Sequence, residues 1–191
     1  MIERIQQILR DSAEVKRKAA DDIATDIAAA ADLIVGAYEA GRKTLIFGNG
    51  GSAADAQHFA AELVGRFQKE RAPLPSISLN TNTSTITSIA NDYDYDHVFI
   101  RQLEAFTRAG DVVIGISTSG ISPNVLAALE KARALGAKTI GLTGRKGGSM
   151  PAMCDVCVVV PSESTARIQE THITILHIWC EIIESRLFGV R

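Results

Sequence analysis

The stretch from Thr44 to Glu62 constrains the fold more than any other part of the chain. Thr44-Leu45-Ile46-Phe47 reads as a short buried strand, Gly48-Asn49-Gly50-Gly51-Ser52 as a tight turn, and an Ala-rich helix opens at Ser52. A strand that feeds a helix through a turn this short is the repeating unit of a parallel α/β sheet. Glycines let the backbone approach a ligand closely, and a helix start offers free N–H groups and the positive end of its dipole. The turn therefore predicts an anion site, against the plainer reading of a tight turn capped by Ser52. It is neither the dinucleotide fingerprint nor the P-loop. One turn into the helix, His58 and Glu62 stand four residues apart and share a face. They are either a solvated pair or an acid/base or metal pair beside the cradle.

The same alternation runs through the rest of the chain. Apolar runs predict strands at 43–47, 75–79, 111–116, 138–142 and 156–160, with helices at 52–66, 83–90, 96–107, 122–135 and 164–187. This is an α/β pattern, a doubly wound sheet of five parallel strands covered by helices on both faces. Two amphipathic segments, 2–18 and 21–40, precede the first strand, and they predict an N-terminal helical extension (1–40) on a single domain (1–191). Their apolar stripes, Ile5, Ile8, Leu9 and Val15 on one and Ile23, Ile27, Leu33 and Ile34 on the other, are expected to pack on the domain's flank or on another subunit.

Composition narrows the partners. Of 191 residues 46% are hydrophobic and 22% charged, and the formal net charge of -2 gives no basic surface for nucleic acid. No apolar run approaches the length of a membrane span, and the start Met1-Ile2-Glu3-Arg4 does not resemble a signal peptide. Cys154, Cys157 and Cys180 make an odd count without a second C-x-x-C for structural zinc, and Cys157 is expected as a buried strand cysteine. A cytoplasmic protein is expected.

In sheets of this kind ligands bind beyond the carboxyl ends of the strands. A second polar turn, Ser117-Thr118-Ser119-Gly120-Ile121-Ser122-Pro123, falls at such an end. Ser122 can cap the next helix with Pro123 at its first position, and the hydroxyl groups can bind a phosphate without charge. Asn91 and Asp92 begin a polar loop and either line a ligand or cap helices. In the last helix Gln169 and His177 lie about 80° apart, within one broad face among apolar residues, and need polar company there.

Together these residues resemble the sugar isomerase (SIS) family, and within it the isomerases of sedoheptulose 7-phosphate. The resemblance spans nearly the whole chain. It rests on Gly48-Asn49-Gly50-Gly51-Ser52, His58 with Glu62, Asn91-Asp92, Ser117-Thr118-Ser119-Gly120 with Ser122, and Arg167-Ile168-Gln169-Glu170 with His177. It implies a flavodoxin-like sheet and a homotetramer with sites at subunit contacts. Sugar phosphate would be bound by Asn49, Gly50, Gly51, Ser52, Glu62, Asn91, Asp92, Ser117, Thr118, Ser119, Ser122 and Gln169. Glu62 and His177 would be catalytic, and a zinc ion, one per subunit, would sit on His58, Glu62, Gln169 and His177. Ile121 departs from the family, where a polar residue is common. The implied reaction is an aldose–ketose exchange through an enediol, which feeds bacterial ADP-heptose and lipopolysaccharide core synthesis. A carboxylate can move the carbon-bound proton, and an imidazole can serve the oxygens. The rivals are a non-catalytic relative that binds the replication initiator DnaA and a sugar-phosphate sensor. The presence of Glu62 and His177 favours the enzyme. With the last helix joining an intersubunit core, His177 of one subunit is expected to meet Glu62 of another.

Overall fold

A computed structural model describes residues 1–189 of the chain. In chain order the elements are α1 (Ile2–Asp22), α2 (Ala24–Glu39), β1 (Thr44–Gly48), α3 (Gly51–Val64), β2 (Ser76–Ser78), α4 (Thr83–Asp92), α5 (Ile100–Phe106), β3 (Val112–Ser117), α6 (Pro123–Ala134), β4 (Lys138–Gly144), α7 (Met150–Met153), β5 (Val156–Val160) and α8 (Thr165–Phe188). The five strands form one parallel sheet in the order β2-β1-β3-β4-β5. This is the flavodoxin-like order, and its topological switch lies between β1 and β3. The two pair along their length, so that Gly48 stands opposite Ile116. The turns that leave them are thereby neighbours.

Side chains of successive strand residues enter opposite faces. Ile46, Ile114, Ile140, Leu142 and Val158 pack under α2, α3 and α8, whereas Leu45, Phe47, Val113 and Met150 pack with the layer of α5 and α6. β3 is buried throughout. Sandwiched strands of a doubly wound sheet are apolar on both sides for this reason. Among the described residues no helix is long and apolar enough to cross a membrane.

The two leading helices differ in role. α2 buries Ile27, Ala30, Ile34 and Val35 against its own domain, and Trp179 of α8 donates its indole N–H to the Ile27 carbonyl at 3.0 Å. It is a layer of the core, so its stripe of Ile23, Ile27 and Ile34 has no need of another subunit. The first half of α1 leaves Ile2, Ile5 and Leu9 exposed. The helix expected over 96–107 is broken into a 3-10 turn at Tyr95–His97, capped by Asp94, and the shorter α5. Cys157 is half-buried, not buried, because β5 is an edge strand, where Val156 and Val159 are half-buried as well.

Candidate active site

The first turn forms as its glycines dictate, with one difference in register. Gly50, not Ser52, is the N-cap of α3, and its φ of 58° lies in the left-handed region. Ser52 is one residue inside the helix and buried. The Ser52 N–H donates to the Asn49 carbonyl at 3.1 Å and closes the turn. A side chain on Gly51 would strike the Gln169 amide, since a Cβ there would stand 2.4 Å from Nε2. Gln169 thus lies against the anion turn, about 12 Å along α8 from His177 at 1.5 Å rise per residue.

The second turn is a chain of hydroxyl groups. Ser117 Oγ is 2.8 Å from Ser122 Oγ and 3.4 Å from Ser119 Oγ. Ser122 occupies the N-cap position of α6 with Pro123 behind it, yet its hydroxyl serves Ser117 and caps no helix N–H. Gly120, at φ 69°, lies directly on the backbone of Gly147, and the Ser149 N–H donates to its carbonyl at 2.9 Å. The loop after β4 therefore braces the serine turn from behind. Thr118 and Ser119 are half-exposed and Ile121 is exposed.

Two residues that sequence patterns did not single out join these turns. Asn49 and Asn124 exchange both amide hydrogen bonds, at 2.9 and 3.0 Å, and Asn124 is buried. Asn80 does the same with the backbone of Gly48, at 2.9 and 3.2 Å. The Tyr95 hydroxyl donates to Asn49 Oδ1 at 3.3 Å.

Beside the cradle, α3 and α8 bring three groups together within one chain. His58 Nε2 lies 2.9 Å from Glu62 Oε1 and 3.3 Å from His177 Nε2. The expectation set His177 of one subunit against Glu62 of another; within a single chain α8 packs on α3 and already brings His177, His58 and Glu62 together. His58, Glu62 and His177 each offer a ligand atom within 4.8 Å of the others. Two imidazole nitrogens and a carboxylate oxygen crowded this way hold more lone pairs than protons. That donor set suits zinc. Three of the four residues expected to hold a metal, His58, Glu62 and His177, are thus grouped so that they could hold one, and the fourth, Gln169, lies against Gly51. Glu62 is 25% exposed, open enough for a substrate to reach it. Asp55, three residues before His58, also went unnoticed. Burial pushes its carboxyl up to about 6 against the pull of His58, and its Oδ2 has no partner among the described residues.

Asn91 and Asp92 end α4 on the surface, where the Asn91 amide donates to the Asp92 carboxylate at 2.9 Å. Neither makes a hydrogen bond to the two turns among the described residues.

A family model for the SIS domain matches residues 7–144. Beyond its end lies α8, with Gln169 and His177, and full-length relatives cover that part too. The phosphoheptose isomerase of Geobacter sp. (strain M21) is 53% identical over 188 residues, 98% of each chain. The structure of phosphoheptose isomerase GmhA from Neisseria gonorrhoeae superposes with a TM-score of 0.91 at 45% identity, covering 96% of this chain and 98% of that one. The phosphoheptose isomerase from Francisella tularensis gives 0.93 at 38% identity over the same shares. With a cradle of two uncharged turns beside a carboxylate and two histidines, the chain belongs to the SIS-domain family and, within it, to the phosphoheptose isomerases.

Proposed function

We propose that the chain converts sedoheptulose 7-phosphate to the aldose D-glycero-D-manno-heptose 7-phosphate. The observation that carries this reading is the convergence of Glu62 and His177 beside two adjoining phosphate turns. The 7-phosphate would lie against Asn49, Gly50, Gly51 and Ser52 and against Ser117, Thr118, Ser119 and Ser122. The other end of the sugar would then point along α3 toward Glu62. Asn49 would contribute its backbone, because its side chain is engaged by Asn124. Gln169, against Gly51, would bind substrate at the turn.

The Glu62 carboxylate would take the proton from C1 of the ketose and return it to C2. His177 would carry the matching proton from O1 to O2, so the enediol forms and collapses with no net change in atoms. Zinc would be held by His58, Glu62 and His177, and when bound it would polarise the substrate carbonyl. The exposed Ile2, Ile5 and Leu9 and an apolar groove between α1, α2 and α8 support a homotetramer. In such an assembly the exposed Asn91 and Asp92 would contact the sugar of a site at a subunit contact. The reading suits a cytoplasmic enzyme that supplies heptose for a bacterial glycan such as lipopolysaccharide. Incubation with sedoheptulose 7-phosphate tests it: the aldose should appear, and its absence from correctly folded protein would reject the reading.

A further inference from the structure

The segment that follows α3 does more than lead to β2. Residues 65–74 turn back over α8 and are pinned there by a buried ion pair. Glu184 accepts the backbone N–H groups of Phe67, Gln68 and Lys69, each at 3.0 Å, and the Arg71 Nε–H, also at 3.0 Å. The two side chains are 1% and 2% exposed. Burial works to raise the Glu184 carboxyl, but the three backbone donors and Arg71 outweigh it and hold it below the usual carboxylate range. The remaining guanidinium donors reach the carbonyls of Glu62 and Leu63, both at 2.8 Å. These belong to the last turn of α3, whose carbonyls have no partner within the helix.

Both catalytic residues meet this node, Glu62 through its backbone and His177 through its side chain. Arg71 holds the backbone of Glu62. Phe67, whose N–H is held by Glu184, lays its ring on the His177 imidazole, with centroids 5.4 Å apart and planes at 28°. Glu184 follows His177 by seven residues and so occupies the same stripe of α8. The ring torsion of a histidine is soft. The 3.3 Å approach to His58 is long for an N–H···N bond. A stacked phenyl ring supplies the restraint that this bond does not.

We propose that Phe67 is a positioning residue for the isomerisation: seated by the Glu184–Arg71 pair, its ring fixes the His177 imidazole in register with Glu62 and His58. The proposal rests on the assignment of the proton transfers to Glu62 and His177. Because the phosphate turns lie elsewhere in the site, loss of the ring should lower kcat and leave KM nearly unchanged. Small misplacements of a reacting group cost up to about 100-fold.

The test uses the full-length protein with ¹³C-labelled histidine, and His177→Ala identifies the His177 resonance. In the parent that resonance should be displaced by the phenyl ring current. Phe67→Leu should abolish the displacement and lower kcat about 10- to 100-fold with KM within about a factor of two, whereas Phe67→Tyr should restore both. Glu184→Gln should shift the resonance and reduce kcat in the same sense. If it fails to fold, the Phe67 pair still decides. A folded Phe67→Leu protein with an unmoved His177 resonance would overturn the proposal, as would a moved resonance with parental kcat. Full turnover by His177→Ala would overturn it by a different route. The ring displacement would then stand in the parent while the assignment of chemistry to His177 fell.

Discussion

Asn49 and Asn124 decide how the phosphate cradle holds its shape. Their reciprocal amide bonds join the turn after β1 to the start of α6, across 75 positions of sequence. Asn124→Leu keeps the branching of the side chain but not its polarity, and leaves the half-buried Asn49 amide nitrogen without its partner, at a cost of about 1–3 kcal/mol. The expected outcome is a KM raised several-fold with a smaller change in kcat, measured by steady-state kinetics on protein that still melts cooperatively. Gly50 and Gly120 were legible because their left-handed backbones favour glycine, and the serines because they cluster at the carboxyl end of β3. Asn124 was not, since it follows Ser122-Pro123 like any early helix residue and its partner is remote. Arg71 and Glu184 escaped for the same reason, whereas Asp55 left a faint signal in its spacing of three from His58. The register error at Ser52 has a simple cause: Gly50 adopts a φ that frees it to cap the helix, so the serine moves inside.

α8 is the element that links the site to the core. It carries Gln169 and His177 on one side, and His172 is fully buried on another, its Nε2–H donating to the Thr143 carbonyl at 3.0 Å. Burial lowers the His172 pKa from 6.5 to about 4, against the hydrogen bond that favours its charged form. Between those two values the unfolded chain binds a proton that the folded chain refuses. Stability should therefore be fully present above about pH 6.5 and fall as pH drops toward 4, by roughly 3 kcal/mol from this residue. Urea unfolding at pH 7 and pH 4.5 checks this, and His172→Gln should narrow the gap between the two. β3 and β5 were predictable from near-continuous apolar runs, and the other strands from the strand–helix alternation around them. The role of α2 was not. Helical periodicity says which face is apolar but not what covers it, and here β3, β5 and α8 cover it within the same chain. α7, four residues long around Pro151, has too few residues to show a period.

For the whole molecule, the three-residue cluster and the assembly make separate predictions. The protein should sediment as a tetramer, and Ile5→Glu with Leu9→Glu should weaken assembly by placing charge on the exposed stripe of α1. A parental tetramer from the double variant would remove α1 from the interface. Because Glu62 and His177 meet inside one chain, mixing inactive Glu62→Gln with inactive His177→Ala subunits should recover no activity. Recovery in mixed oligomers would mean that the working pair crosses between subunits. The most direct measurement is turnover of sedoheptulose 7-phosphate by Glu62→Gln, alongside its binding of that substrate. Loss of the base should lower kcat by about 10² to 10⁴, while calorimetry shows the sugar phosphate still bound. Turnover within a few-fold of the parent would contradict Glu62 as the proton carrier and the isomerase mechanism built upon it.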